Sequence, residues 1–214
     1  ARRAAVLFDV SQPYSRDLAE RFRRAFTARG GRIVAFETYT ADRAADFRPQ
    51  LRRIRSARPE VLLLPNFPDA VNRQLSQAES MGLRLDVLGS DSWDPPSLPP
   101  LGRGQRVLVT SQWAPGYPTP ATRRFVEAYR AIHGREPRSA AAMTYDAVRI
   151  LLAAITLAQS LEPARVRQAI ADMRNYEGTT GRITFAGGND PQRSVPVSTV
   201  RDGRLEIVRV IDPP

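Results

Sequence analysis

Four short stretches carry residues that could grip a small polar molecule: Asp9-Val-Ser11-Gln12-Pro-Tyr14, Asn66-Phe67, Ser90-Asp91-Ser92-Trp93 and Ser111-Gln112-Trp113. Each follows directly on an apolar run. Together they offer aromatic rings, hydroxyls, amides and one well-placed acid, Asp91. Such a set suits a small polar solute with an apolar portion and a positive group. Each also has a plainer reading. Tyr14 can pack over a helix start, and Ser90 and Ser92 can support Asp91 in a turn. Asn66 and Phe67, just before Pro68, can shape the beginning of a helix. Trp93 and Trp113 can serve as core.

Catalytic chemistry finds few residues. The single histidine, His133, precedes Gly134 at a helix end, where capping explains it. No second histidine and no cysteine exist to build a metal cluster or a thiolate nucleophile. Asp91 and Asp94 form an unspecific carboxylate pair in a Pro-rich loop. Gly102-Arg-Gly104 is too short for a dinucleotide fingerprint and precedes a strand instead of following one. Gly187-Gly188-Asn189-Asp190 lacks the further acids a calcium loop needs. The expectation is a binding protein that is no enzyme and carries neither metal nor cofactor.

The chain of 214 residues can bury a core as one large domain or two small lobes. Its formal net charge of +10 rests on arginine alone, for there is no lysine. The arginines are spread through many segments. The densest groups, Arg21, Arg23 and Arg24, then Arg52, Arg53 and Arg55, read as solvent faces of helices. Without a recognition motif the charge implies no nucleic-acid partner. The absence of cysteine excludes disulfides and leaves the redox compartment open. No run approaches the roughly 18–20 apolar residues that a membrane span needs. The longest, Ile150 to Leu161, is interrupted by Thr156, Gln159 and Ser160. Ala1-Arg2-Arg3 leads directly into a short apolar run, so no signal peptide opens the sequence, as in a mature or truncated chain.

The residues of interest must be positioned by alternating strands and helices. Ala4 to Val10 reads as a buried strand, followed by a helix with Leu18, Phe22, Ala25 and Phe26 on one face and a stop at Gly30-Gly31. Strands at 32–36, 61–64, 85–88 and 106–110 alternate with helices marked by Phe47, Leu51 and Ile54 and by Val71, Leu75 and Ala78. Short apolar strands in repeated strand-helix units imply a doubly wound parallel sheet covered on both faces. In such sheets ligands bind beyond the carboxyl ends of the strands, where the four stretches fall.

The pattern changes after Trp113. Pro115, Pro118 and Pro120 make a stiff connection. Helices follow at about 120–133, 139–160 and 163–173, the middle one apolar enough to be buried on a wide face. The strands at 181–185, 195–200 and 205–210 are too few to cover it. The last two flank Asp202-Gly203, a hairpin signal. This half reads as part of a lobe whose sheet lies elsewhere.

Several motifs in one order resemble the Leu/Ile/Val-type (branched-chain amino acid) solute-binding proteins of ABC importers. They are Ala5-Val-Leu-Phe-Asp-Val-Ser-Gln-Pro-Tyr-Ser-Arg-Asp-Leu-Ala19, Gly30-Gly-Arg-Ile-Val34, Phe47-Arg-Pro-Gln-Leu-Arg-Arg-Ile54 and Arg58-Pro-Glu-Val-Leu-Leu-Leu-Pro65. Ala78-Glu-Ser-Met-Gly-Leu83, Leu88-Gly-Ser-Asp-Ser-Trp93, Thr144-Tyr-Asp-Ala-Val148 and Gly178-Thr-Thr-Gly-Arg-Ile-Thr-Phe185 continue it. The resemblance implies a type I periplasmic-binding-protein clamshell of two α/β lobes. Residues 1–114, completed by about 191–214, would form lobe two; residues 115–190 would hold the crossover and the helical part of lobe one. The segment of lobe one that precedes Ala1 in the family is not in this sequence.

By position, the resemblance implies that Asp91 holds the ammonium group of an amino-acid or amide solute and that Tyr14 lines it. Asn66 or Phe67 stands where the family often has Tyr, and Ser11 and Trp93 complete the expected ligand-binding set. It further implies permease subunits as partners and a periplasmic or otherwise extracytoplasmic location, compatible with a lipoprotein anchor. The exposed face of the 139–160 helix predicts dimerisation or aggregation of the isolated piece. The alternative is a ligand-sensing domain of a receptor or transcription regulator with the same fold.

Overall fold

The computed structural model describes residues 1–43, 45–93, 106–201 and 204–213. Asp94, Gly102-Arg-Gly104 and the Asp202-Gly203 turn, all singled out above, lie outside the described residues. The chain divides into two compact units, one of Ala1–Thr110 with Thr199–Leu205, the other of Ser111–Ser198 with Glu206–Pro214.

The first unit contains β1 (Arg3–Asp9), α1 (Pro13–Ala28), β2 (Arg32–Tyr39), α2 (Arg48–Ser56), β3 (Val61–Leu64), α3 (Pro68–Ser80), β4 (Asp86–Gly89) and β5 (Val107–Thr110). Strands β9 (Val195–Arg201) and β10 (Arg204–Ile211) bring their ends to the same sheet, whose order is β10-β9-β5-β4-β3-β1-β2. The pairs β1–β2, β1–β3, β3–β4 and β4–β5 are parallel. This is the doubly wound sheet that the short apolar strands imply. β2 runs to Tyr39, three residues past its expected end, because its whole length pairs with β1.

Alternation along the strands sorts the core. Ala5 and Leu7 of β1, Leu62 and Leu64 of β3, and Val87, Val107 and Val109 turn to one face, where Leu51 and Ile54 of α2 and Val71, Leu75 and Ala78 of α3 cover them. Val6, Phe8 and Leu63 turn to the other face, against Ala19 and Phe22 of α1. A four-residue strand buried on both faces must be apolar throughout, and β3 is. Proline opens these helices: Pro13, Pro49 and Pro68 occupy their first or second positions. There the missing N–H has no partner to lose and the fixed φ already suits the helix.

The second unit holds α4 (Pro120–His133), α5 (Ser139–Ala158), α6 (Pro163–Ala171), β6 (Tyr176–Gly178), β7 (Gly181–Thr184) and β8 (Gln192–Arg193). The last three form an antiparallel sheet. β6 and β8 are too short to give a periodic signal and escape the sequence reading. α4 closes on Gly134 in the left-handed conformation, φ 64°, so His133 sits where capping places it.

α5 differs from expectation. Its most apolar 18-residue window has a mean hydropathy of 1.5, so the helix is long and apolar enough to cross a membrane by length and composition. Counting unbroken apolar residues hides this, because Tyr145, Asp146 and Arg149 interrupt the run. The helix also buries less than a wide face: Ala142, Asp146, Ile150 and Ala154 form one narrow stripe, while Val148, Leu151, Leu152 and Leu157 stay exposed.

Asp146 is the polar centre of this unit. It is 3% exposed, and its carboxylate accepts the Thr179 N–H and both the N–H and hydroxyl of Thr180, each at 2.7 Å. Thr122 of α4 donates to the Thr179 carbonyl at 2.6 Å. One carboxylate thus fastens α5 to the β6–β7 turn. A Cβ on Gly178 would lie 2.6 Å from Asp146 Oδ2, so the turn admits only glycine there. Asp146→Ala leaves these donors buried and unpaired and is expected to cost about 2–4 kcal/mol of unfolding free energy. Urea denaturation followed by circular dichroism checks it, and a loss under about 0.5 kcal/mol, the range of an ordinary surface substitution, would contradict the role.

Candidate functional site: the carboxyl edge of the first sheet

The candidate site is built from the ends of β1, β3 and β4. Asp9 closes β1 and is 5% exposed. Its Oδ1 accepts the Ser11 N–H at 2.9 Å and the Ser11 hydroxyl at 2.5 Å, folding the chain into the turn that delivers Pro13 and Tyr14 to the start of α1. Ser11 itself is exposed at the rim.

Asn66, which follows β3, is 0% exposed and its side chain is spent inside the protein. Its Oδ1 accepts the Asp9 N–H at 3.1 Å, and its Nδ2 donates to the Leu7 carbonyl at 2.8 Å and to Gln74 Oε1 at 3.1 Å. Its backbone carbonyl accepts the Ser92 hydroxyl at 2.9 Å. The same residue therefore ties β1, α3 and the loop after β4. Gln74 was not singled out from the sequence, although it shares the apolar face of α3 with Val71, Leu75 and Ala78. A glutamine on such a stripe was the available signal.

Trp93 is likewise internal. It is 6% exposed, its indole N–H donates to the Leu64 carbonyl at 3.1 Å, and its ring lies over Gly89. Ser90 and Ser92 share a hydrogen bond at 2.9 Å. Together these contacts set the short loop that presents Asp91 to solvent.

Three side chains meet on the solvent side. The Tyr14 phenol donates to Asp91 Oδ1 at 2.5 Å. The Tyr14 and Phe67 rings pack with centroids 5.6 Å apart, and Phe67 keeps 48% of its surface exposed just ahead of α3. Tyr14, Phe67 and Asp91 thus form one cluster, supported from below by Asn66, Trp93 and the Asp9–Ser11 turn. Ser111, Gln112 and Trp113 belong to the other unit. Among the described residues no three acidic or histidine side chains converge as a metal site requires.

The electrostatics match the geometry. Burial, then the hydrogen bond to Asp91, raises the pKa of Tyr14 above the ordinary 10.0, while the nearby Ser90 and Ser92 hydroxyls oppose the shift. Burial and then the charge of Asp9 push Tyr39, at the end of β2, in the same direction. A raised phenol pKa stabilises the fold while the phenol is neutral, and that contribution is lost as pH rises through the folded value.

Two outcomes are expected. Gly89→Ala places a Cβ 2.6 Å from the Trp93 ring and should destabilise the protein by about 1–3 kcal/mol through overpacking, read as a lower urea midpoint. Asp91→Asn should lower the pKa of Tyr14, seen in the ultraviolet tyrosinate titration as the difference from a Tyr14→Phe control. An unmoved titration would show that the Tyr14–Asp91 bond does not persist in solution.

Comparison with known proteins places this geometry. Residues 1–204 match the sequence pattern described as periplasmic binding protein. No curated protein matches the chain. Among solved structures, a leucine binding protein from Thermotoga maritima is 30% identical, with a TM-score of 0.87 over 100% of this chain and 61% of its own. An ABC transporter substrate-binding protein from Desulfitobacterium hafniense in complex with Leu is 26% identical, TM-score 0.79, over 97% of this chain and 60% of its own. A solute binding protein from Rhodopseudomonas palustris BisB5, in complex with 3,4-dihydroxy benzoic acid, shares the fold at 23% identity and a TM-score of 0.77, over 99% and 60%. The chain thus spans about 60% of the length of the structures it matches. With its parallel doubly wound sheet and its match over residues 1–204, the chain belongs to the periplasmic binding protein family and has the type I fold.

Proposed function

We propose that this chain is the part of an extracytoplasmic solute-binding protein that meets the positive group of a small amino-acid-like solute, for delivery to the permease subunits of an ABC importer. No bond is made or broken in the solute. In this reading Tyr14, Phe67 and Asp91 contact the solute, while Ser11, Asn66 and Trp93 shape and hold the loops that carry them. Residues 1–114 with about 191–214 are assigned to lobe two, and residues 115–190 to the crossover and the helices of lobe one.

The observation that carries the proposal is the Asp91 carboxylate beside two aromatic rings at the carboxyl edge of a parallel sheet. A carboxylate there favours a cationic group and disfavours an anionic one, more strongly as water is excluded. An apolar side chain finds Phe67 and the Tyr14 ring next to that charge. Relatives solved with Leu and with 3,4-dihydroxy benzoic acid mark the two chemistries that the fold accommodates. Asp91 favours the amino acid over the aromatic acid, whose carboxylate it would repel.

A thermal-shift screen of the full-length gene product against amino acids, amides and aromatic acids tests this reading. Amino acids with apolar side chains are expected to raise the melting temperature as ligands of the native state do. Asp91→Ala should weaken that binding by about 1.5–3 kcal/mol, the worth of a hydrogen bond to a charged group. Stabilisation by aromatic acids alone, or unchanged affinity in Asp91→Ala, would overturn the proposal.

A further inference from the structure

The amino edge of the first sheet, at the far end of its strands from Asp91, is lined with arginine. Arg3 and Arg32 open β1 and β2 side by side in register. Arg58, Arg84 and Arg106 stand within three residues of the starts of β3, β4 and β5. β9 runs against β5, since the Ser111 N–H donates to the Pro196 carbonyl and the Thr199 hydroxyl to that of Val107. Arg201 at the end of β9 and Arg204 at the start of β10 therefore reach the same edge. Each strand of the seven-stranded sheet thus brings an arginine there. With strands about 4.8 Å apart, the row is roughly 30 Å long. Only Arg3 is half-buried; the others are exposed.

Part of this charge has a local use. Arg3 donates to the Ala57 and Arg58 carbonyls, and Arg106 pairs with Asp86. The carbonyl ends of α1 and α2 come to the same edge, and Arg29 and Arg55 meet their partial negative charge. Besides Asp86, the acids at this edge are Glu60, which accepts the Arg2 N–H, and Glu79 in the last turn of α3. The Arg32, Arg58 and Arg84 guanidinium groups make no ion pair among the described residues. Arg58 moreover holds φ 48°, a left-handed backbone in which glycine is at ease and a longer residue is strained.

A row of this length exceeds what one small anion can span, so it fits an extended array of negative groups. Protein interfaces are built around an apolar or aromatic centre, and sites for single-stranded nucleic acid around exposed rings. This edge offers neither. Among the described residues of the first unit, the exposed large apolar side chains are Val10 and Phe67, both at the carboxyl edge. A plane of phosphates needs no such centre. Guanidinium forks match phosphate oxygens in pairs, and each arginine near an anionic lipid surface adds to the attraction. We propose that the amino edge of the first sheet is a docking surface for an anionic phospholipid membrane, gripped through Arg32, Arg58 and Arg84. Seated in this way, the first unit keeps Tyr14, Phe67 and Asp91 at the end of the strands that faces away from the lipid.

Flotation of the full-length gene product with lipid vesicles provides the test. Vesicles of equal parts phosphatidylglycerol and phosphatidylcholine are compared with pure phosphatidylcholine, at low and at high salt. Binding to the anionic vesicles is expected to be about tenfold or more tighter than to the neutral ones, and to vanish as salt screens the charges. The triple variant Arg32→Gln, Arg58→Gly, Arg84→Gln should weaken it by roughly tenfold to hundredfold, at up to about fivefold per arginine. Glycine suits the left-handed backbone at position 58, and an unchanged melting curve verifies that the variant is folded. Removing the same charge from helix faces, with Arg16→Gln, Arg24→Gln and Arg52→Gln, should cost about threefold or less. Equal binding to the two kinds of vesicle overturns the proposal, as do equal losses in the two triple variants. Tighter binding to polyglutamate than to the anionic vesicles also overturns it and assigns the edge to an acidic protein.

Discussion

The Asn66 amide holds the first unit's carboxyl edge together. A parallel sheet ends in loops whose backbone groups have no strand partner, and burying them unpaired costs about as much as losing a hydrogen bond each. Asn66 solves this for β1 with one side chain. It accepts from the Asp9 N–H, donates to the Leu7 carbonyl and reaches Gln74 in α3. Its own carbonyl then anchors Ser92. The turn that carries Tyr14, the helix that begins beside Phe67 and the loop that carries Asp91 are thus fixed to one buried group. The uncharged amide head supplies two N–H donors and a carbonyl acceptor at once, and the short stem of asparagine keeps that head at the strand ends.

The strands and helices of the first unit were legible because each is written in its burial. β3 is apolar at every position since both faces are covered, and the α2 and α3 stripes fall at helical spacing. The rim stretches were legible for a topological reason, since they follow strands. What the sequence did not separate was the inward residues from the outward ones within each stretch. Asn66 and Phe67 are neighbours of opposite fate, one 0% and the other 48% exposed. Ser92, Trp93 and Asp91 divide in the same way. In irregular backbone there is no period of two or of 3.6 to assign a side, so direction is settled by hydrogen bonds to distant strands. The short strands β6 and β8 escaped for a related reason: two or three residues carry no pattern.

The arginine-only charge has its own logic. Arg53 pairs with Glu37, Arg21 with Asp17, Arg23 with Glu20 and Arg182 with Glu177, all largely exposed on the arginine side. Exposed pairs of this kind are screened by salt and contribute little each. Arg23 also sets its guanidinium over the Phe36 ring, 5.1 Å from its centroid, a cation–π contact at the protein surface. The excess of positive charge is therefore a property of the surface, whereas Asp146 and Asp9, the buried carboxylates described above, are satisfied by N–H and O–H donors.

The two tryptophans of the sequence fall one in each unit, and both are buried: Trp93 at 6% exposure and Trp113 at 1%. An indole shielded from water emits at shorter wavelength than a hydrated one, so the native protein carries an optical reporter in each half. Trp93 sits two residues from Asp91 with its N–H on the Leu64 carbonyl, so its emission follows the loop that presents the acid. Trp113 packs edge-on against Phe125 and follows the helical half. Replacing either one with phenylalanine would leave a single fluorophore, and the two halves could then be watched melting one at a time.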